Sequence, residues 1–244
     1  MNSGYYAACA GLRAQTQALE LIANNVSNIN TTGYRGQLPM FSSVLAASGV
    51  AASDPLNRAI NDFNVLEDSR TDMNSGNLSS TGNPLDLAIE GPGFFAVKTA
   101  TGTLYTRNGS FQVSPNGQLV TNDGGLVLSD QGPVSLPSGE ISISADGTIS
   151  VNGAVAGQIR MVEFAPGSAP VPMGTSYYAV PDAAVRPASN SYLREGMLES
   201  SNVNPVAATV QLIAVQRRAE MLERAMSAFY SNFNHIAAND LPHV

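Results

Sequence analysis

Residues 208–236 read ATVQLIAVQRRAEMLERAMSAFYSNFNHI and carry an almost uninterrupted apolar stripe. The stripe positions are spaced alternately four and three apart, and they are Ala208, Leu212, Val215, Ala219, Leu222, Met226, Phe229, Phe233 and Ile236. This is the a/d spacing of a heptad repeat, which buries one edge of a helix against another helix. A helix over this segment would be roughly 42 Å long at about 1.5 Å per residue, so the stripe predicts a long helical partner.

The opposite end of the chain supplies a candidate partner. Residues 2–29 are rich in alanine, a strong helix former, and repeat the same spacing at Leu12, Gln15, Leu19, Ile22, Val26 and Ile29. An isolated helix of this length is marginally stable in water, so its stability must come mostly from packing. Two interpretations remain open. The helices form a hairpin within one chain, or they form a seam shared between subunits.

The centre of the chain has a different pattern. Residues 81–191 are rich in Gly, Pro, Ser, Asn and Asp, with short apolar runs such as Leu87–Ile89 and Phe94–Val97. Asn-Gly and Asp-Gly pairs, which favour the positive φ angles of tight hairpin turns, recur through this region. They lie at Asn108-Gly109, Asn116-Gly117, Asp123-Gly124, Asp146-Gly147 and Asn152-Gly153. The pattern predicts a small all-β sandwich or barrel.

These patterns together predict an α+β protein. Its long N- and C-terminal helices are expected to pair in a coiled-coil-like bundle, beside a central all-β domain. The predicted domains are a discontinuous helical assembly domain of residues 1–35 and 200–244, an extended connector of residues 36–80 and a β-rich domain of residues 81–199.

Composition narrows the classes of function. Charged residues make up only 13% of the 244 residues, which indicates a surface packed against neighbours. The net charge of −7, without a Lys/Arg cluster, argues against nucleic-acid binding. No segment has the pattern of a membrane span or of a cleaved secretory signal, so we expect no membrane insertion and no cleaved Sec-type signal.

Catalytic and cofactor patterns are weak. The two histidines, His235 and His243, are too few for a metal cluster, and the single Cys9 cannot form an internal disulfide. No Gly-x-Ser-x-Gly elbow occurs, and no Gly-Lys-Ser/Thr follows the glycines at 91 and 93. The sequence predicts a protein that is not an enzyme and has no cofactor or metal site.

Three blocks of sequence resemble the bacterial flagellar rod and hook protein family. The first is Ala23–Arg35, which reads ANNVSNINTTGYR, and the second combines Gly91–Val97 with Tyr105–Phe111. The third is Glu199–Asn204, directly before the last predicted helix. The blocks occur in the order of the family and cover both ends and the centre of the chain.

This resemblance implies a structural subunit of the flagellar basal-body rod, most similar to the proximal rod, that polymerises into the shaft carrying torque from motor to hook. The implied partners are copies of itself, other proximal and distal rod proteins and the flagellar type III export apparatus. The implied location is the periplasmic rod. A distal rod or hook subunit is an alternative, as is a secreted β-sandwich glycan-binding module with a helical stalk.

Two groups of candidate functional residues follow. The predicted assembly interface consists of Leu12, Leu19, Ile22, Asn24, Asn25, Val26, Asn28, Gly33, Tyr34, Leu212, Val215, Leu222, Met226, Phe229, Phe233 and Ile236. The predicted structural motifs contain Gly93, Phe94, Arg107, Asn108, Gly109, Ser201, Asn202, Val203 and Asn204.

Specific roles are predicted within these groups. The density of amides in the first block suggests hydrogen bonds between subunits. Residues 200–202 are expected to cap the last helix, with Pro205 as a first helical residue. Residues 105–111 are expected to form a strand, a hairpin turn and a strand. Arg107 is expected to pair with a carboxylate of its own domain or of a neighbour.

Overall fold

The computed structural model describes residues 2–42 and 65–240. Within these residues it contains two α-helices, α1 (Asn2–Ser27) and α2 (Pro205–Asp240). The start of α2 has a clear local cause. Asn204 Oδ1 accepts hydrogen bonds from the amides of Val206 at 3.0 Å and Ala207 at 3.1 Å, and Pro205 occupies the first helical position, where no amide donor is needed.

Nineteen short strands are assigned between the helices in the described residues. In chain order they are β1 Gln37–Ser42, β2 Val65–Thr71, β3 Leu78–Ser80, β4 Leu87–Glu90, β5 Phe94–Thr99, β6 Gly102–Thr106, β7 Phe111–Val113, β8 Leu119–Thr121, β9 Leu126–Ser129, β10 Gly132–Pro133, β11 Ile141–Ile143, β12 Thr148–Val151, β13 Ala154–Gln158, β14 Met161–Phe164, β15 Val171–Met173, β16 Tyr177–Ala179, β17 Val185–Pro187, β18 Tyr192–Glu195 and β19 Met197–Glu199. A short 3-10 helix, Asp182–Ala184, precedes β17.

The chain divides into two compact units. The helical unit contains the described parts of Met1–Ser27, Gln37–Arg70 and Asn204–Val244, and the β unit contains Asn28–Gly36 and Thr71–Val203. Strands β1 and β2 pair with each other, within the segment predicted as an extended connector. Residues 71–80 of the predicted connector belong to the β unit, and its residues 43–64 lie outside the described residues.

The β unit is built around one large sheet. Its ten strands follow the order β15-β16-β6-β5-β9-β8-β7, with β10 beside β9 and with β14 pairing both β5 and β17. A three-stranded sheet, β11-β12-β13, and the pairs β18-β4 and β19-β3 complete the unit. The last two pairs bring residues 192–199 against residues 78–90, far apart in sequence.

Strand β5 separates two apolar clusters because alternate side chains of a strand point to opposite faces. Phe95 belongs to the larger cluster with Phe111, and their rings meet edge to face at 5.0 Å. Phe94 belongs to the smaller cluster, where it stacks on Phe164 at 4.4 Å. Both faces of β5 are therefore buried, which accounts for its continuous apolar sequence.

Four of the five predicted turns connect strands that pair as antiparallel neighbours. They are the turns at Asn116, Asp123, Asp146 and Asn152. Asn152 has a φ of 51°, the positive value that such a tight turn requires. The prediction of a hairpin at Asn108-Gly109 is wrong, because β6 and β7 are not neighbours in the sheet.

The prediction of a coiled-coil-like bundle is wrong. The two helices share an apolar contact formed by Ala18, Ile22 and Val215, with Leu19, Val26 and Leu212 half-buried at its edge. This contact is short compared with the 36 residues of α2, and a large β unit accounts for most of the fold. A periodic apolar pattern indicates that one face of a helix is apolar, but it does not determine which element covers that face or over what length.

None of the helices in residues 2–42 and 65–240 is long and apolar enough to cross a membrane.

Candidate functional site

Three residues from distant parts of the chain form a buried ion cluster in the β unit. Arg35 Nη2 lies 2.7 Å from Glu199 Oε1, and Arg107 Nη1 lies 3.0 Å from Glu199 Oε2. All three side chains are only 1% exposed. The carboxylate that sequence left undecided for Arg107 is therefore in its own unit.

Each arginine is also held by backbone oxygens. Arg107 Nη1 donates to the carbonyl of Ile89 at 3.0 Å, Nη2 donates to the carbonyl of Gly91, and the guanidinium carbon lies 4.9 Å from the centre of the Phe94 ring. Arg35 Nη1 donates to the carbonyl of Asn74. The cations are thus fixed by neutral dipoles and an aromatic face as well as by Glu199.

Glu199 is the centre of the arrangement. It ends β19, and its Oε1 accepts a hydrogen bond from the amide of Gly76 at 2.8 Å. Its backbone carbonyl accepts a hydrogen bond from the amide of Gly33, also at 2.8 Å. Glu199 therefore contacts the segments around residues 33, 76 and 107 at the same time.

The cluster has a formal excess of one positive charge, because one carboxylate faces two guanidinium groups. Burial lowers the pKa of Arg107 to about 10; Arg35 acts in the same direction, and Glu199 opposes both. Removing one partner of a buried ion pair typically costs about 3–5 kcal/mol, because the other charge stays buried without compensation. Loss of Glu199 would leave two such charges.

Asn202 adds a second connection among the same segments. Its Oδ1 accepts from the amide of Gly36 at 2.8 Å, and its Nδ2 donates to the carbonyls of Asp72 and Asn74, both at 2.9 Å. The prediction that residues 200–202 cap α2 is wrong, since Asn204 is the capping residue. Ser201 Oγ instead accepts from the amide of Val203 at 3.2 Å.

Asn202→Asp is expected to lower the free energy of unfolding of the β unit by about 3 kcal/mol, because a carboxylate would then face two carbonyl oxygens. The matched control is Asn204→Asp. Its side chain accepts only amide hydrogens at the start of α2, so this change should stay within about 0.5 kcal/mol. Urea unfolding followed by near-UV circular dichroism measures both, and equal losses would contradict the assignment.

Amides of the first block make hydrogen bonds within the chain. In the helical unit, Asn25 Nδ2 donates to the carbonyl of Gln37 at 2.7 Å, and Asn25 Oδ1 accepts from the Gln37 amide at 2.8 Å. Asn28 Oδ1 accepts from the Thr31 hydroxyl at 3.1 Å. Hydrogen bonding between subunits stays a prediction for these amides, including the exposed Asn24.

The apolar residues of the predicted helix seam differ in exposure where their side chains are described. Ile22 and Val215 are buried together between the helices. The half-buried members are Leu12, Leu19, Val26, Leu212, Leu222 and Met226. Phe229, Phe233 and Ile236 lie within α2, and their side chains are outside the described residues.

Close approach of other chain segments explains three of the predicted glycines. A Cβ at Gly33, whose φ is 69°, would overlap the backbone of Arg107 and Asn108, and one at Gly109 would overlap the carbonyl of Leu87. A Cβ at Gly93 would lie 2.8 Å from Ser191 Oγ, the atom to which the Gly93 amide donates. Tyr34, next to Gly33, is buried, and burial raises the pKa of its hydroxyl.

Two members of the ion cluster, Arg35 and Glu199, were absent from the residues predicted to be functional. Both lie in the quoted sequence blocks, and a usable signal was their charge. In a chain with only 13% charged residues, the first block holds a single charged residue, Arg35, and the third holds only Glu199. A charge in an otherwise uncharged block indicates a specific buried partner, although it does not say which one.

A second apolar stripe on α2 is exposed. It consists of Val206, Val210, Ile213 and Met221, which are 73%, 60%, 47% and 61% exposed. Each lies two residues from a seam position, and two residues turn a helix by about 200°. We call this set the exposed stripe. It lies on the side of α2 opposite the contact with α1.

Comparison with known proteins gives three matches to family models along the chain. Residues 6–35 match the flagella basal body rod protein family, residues 88–151 match the flagellar hook protein FlgE/F/G D1 domain, and residues 194–236 match the flagellar basal body rod FlgEFG protein C-terminal family. The flagellar basal-body rod protein FlgF of Mesorhizobium japonicum is 34% identical over 228 residues, covering 90% of both chains. The chain belongs to the flagellar basal-body rod protein family.

Other members of the rod family agree. FlgF of Caulobacter vibrioides is 32% identical over 93% of both chains. FlgG of Agrobacterium fabrum is 33% identical over 90% of this chain and 92% of its own. The predicted resemblance to the flagellar rod proteins is confirmed, with FlgF proteins among the matched relatives, and so is the prediction of a structural rod subunit that is not an enzyme.

Each of the three regions matched by a family model contains one residue of the ion cluster. Arg35 lies at the end of the first matched region, Arg107 within the second and Glu199 within the third. The blocks that identify the rod family in the sequence therefore meet at one buried site in the β unit.

Proposed function

We propose that this rod subunit polymerises with copies of itself and with other rod proteins in the periplasmic, proximal part of the rod. The polymer transmits torque from the motor to the hook. The resemblance to FlgF supports the proximal position, and family membership supports assembly with other rod proteins. The observation that carries the proposal is the exposed stripe of α2.

The exposed stripe is unfavourable in a solitary subunit. Covering a large apolar side chain contributes about 1.5–3 kcal/mol, so four exposed members on one helix face favour association. The half-buried seam residues Leu222 and Met226 extend the apolar surface further along α2. We propose that these residues and the exposed stripe contact neighbouring subunits in the rod.

We further propose delivery through the flagellar type III export apparatus, with residues 2–27 retained in the folded subunit. Membership of the rod family supports the export route. Retention of residues 2–27 is supported by α1, whose Ala18 and Ile22 are buried against α2. Removing this segment would take away four of the six residues of the apolar cluster between the helices in the described residues. The first helix is therefore part of the folded subunit.

Val210→Asp is expected to abolish rod assembly and motility while leaving the subunit folded, because a charge in the exposed stripe would have to be buried in the polymer. The measurement is swimming and basal-body yield in the source bacterium after replacement of its own copy. Gln211→Asp is the matched control, since it adds the same charge at the adjacent exposed position outside the stripe. Normal swimming of the Val210→Asp strain would refute the proposal.

A further inference from the structure

The ion cluster is assembled from residues that appear in a definite order along the chain. Arg35 and Arg107 come first, and Glu199, their shared carboxylate, follows 92 residues after Arg107. The remaining partners of the arginines in the described residues are neutral, namely the carbonyls of Asn74, Ile89 and Gly91 and the ring of Phe94. Until Glu199 is in place, the site has two cations and no anion.

We propose that Glu199 acts as a latch, by which we mean that its entry into the ion cluster is required before residues 28–36 can become ordered on the β unit. Residues 196–203 become ordered on the β unit when Glu199 pairs with Arg107, and residues 28–36 become ordered only when Glu199 is in place to pair with Arg35 as well. The inference concerns the isolated subunit and does not depend on the proposed assembly surface. If it is correct, the β unit cannot finish folding until residues 196–203, in the last fifth of the chain, are present.

The physical reason is the cost of burying charge. Arg35 cannot enter its buried position beside Arg107 without a carboxylate, because two uncompensated guanidinium groups would share one dry site. Glu199 in turn cannot be buried without a cation. Arg107 supplies that cation, so residues 196–203 can dock without Arg35, whereas residues 28–36 cannot dock without Glu199.

Backbone hydrogen bonds extend the effect of Glu199 beyond the side chains of the ion cluster. The amide of Gly33 donates to the carbonyl of Glu199, and the amide of Ser200 donates to the carbonyl of Asn77 at 2.8 Å. The amide of Gly36 donates to Asn202, three residues after Glu199. If Glu199 leaves the site, the acceptors for both Gly33 and Gly36 leave with it, although neither bond uses its side chain.

The test is amide hydrogen exchange of the full chain with Glu199→Gln, which keeps the shape and removes the charge. Exchange at Gly33, Gly36 and Ser200 should accelerate by roughly 100- to 4,000-fold, as the loss of a buried ion-pair partner implies. Exchange in β5 and β6 should change much less. The matched control is Glu90→Gln, which removes the carboxylate of a pair with Arg194 that has the same 2.7 Å separation but is more than half exposed.

A second variant separates the latch from a general loss of stability. Arg35→Met leaves Arg107 and Glu199 as a neutral buried pair, so residues 196–203 should keep their protection while residues 28–36 lose theirs. The latch is wrong if Glu199→Gln leaves Gly33 and Gly36 within about threefold of the unmodified chain. It is equally wrong if either variant accelerates exchange in β5 and β6 as much as in residues 28–36.

Discussion

Gly33→Ala is expected to destabilise the β unit by more than about 4 kcal/mol, which is in the exceptional range for one methyl group. Two costs act together. Gly33 has a φ of 69°, a conformation that costs a side-chain-bearing residue about 1–2 kcal/mol. The added Cβ would also overlap the backbone of Arg107 and Asn108. Backbone atoms cannot move aside without shifting Arg107, which is fixed by Glu199 and two carbonyls.

Gly82→Ala separates the two costs. Gly82 has a similar φ of 74°, but no atom lies within 4 Å of the position that its Cβ would take. This variant should lose only the conformational term, about 1–2 kcal/mol. Urea unfolding of both variants measures the difference, which is the cost of the overlap. If Gly33→Ala and Gly82→Ala lose the same stability, the close approach of residues 33 and 107 is wrong.

Phe95→Ala is expected to lower the free energy of unfolding by about 3–5 kcal/mol, because the side chain is fully buried and leaves a large cavity. Phe95 lies on β5, the strand that separates the two apolar clusters, and contacts Phe111 edge to face. The surrounding backbone is paired with β6, β9 and β14, so it cannot collapse freely into the space.

Val155→Ala is the control for this core variant, since Val155 is 74% exposed and its truncation should cost less than about 0.5 kcal/mol. Thermal unfolding monitored by circular dichroism compares the two. Adding Phe111→Ala tests the aromatic contact itself, with an expected coupling of about 0.5–1.5 kcal/mol. Additive losses would show that the two rings do not interact.

Local sequence patterns predicted the elements well. Helix α1 was expected over residues 2–29 and spans Asn2–Ser27, and α2 begins at Pro205 as the Asn-Pro pair indicated. Four Asn-Gly or Asp-Gly turns connect antiparallel strands. These features depend on the backbone preferences of a few neighbouring residues, so they can be predicted from the local sequence.

Pairing over long distances was predicted poorly. The Asn108-Gly109 pair looks like the other turns, but Gly109 is required because the backbone of Leu87 lies against it. The apolar seam indicated a buried helix face, but it overestimated the length of the contact between α1 and α2. In both cases the local signal was present, and its partner was supplied by a segment that no local rule selects.

The sequence alone determined where helices and turns form, and its three family blocks identified a flagellar rod protein. Only the tertiary structure decided that Arg35, Arg107 and Glu199 share one buried site and that Asn202 connects segments instead of capping α2. The physical reason is the distance along the chain over which each interaction acts. Propensity and capping act over a few residues, whereas the burial of a charge depends on whichever distant chain segment supplies its partner.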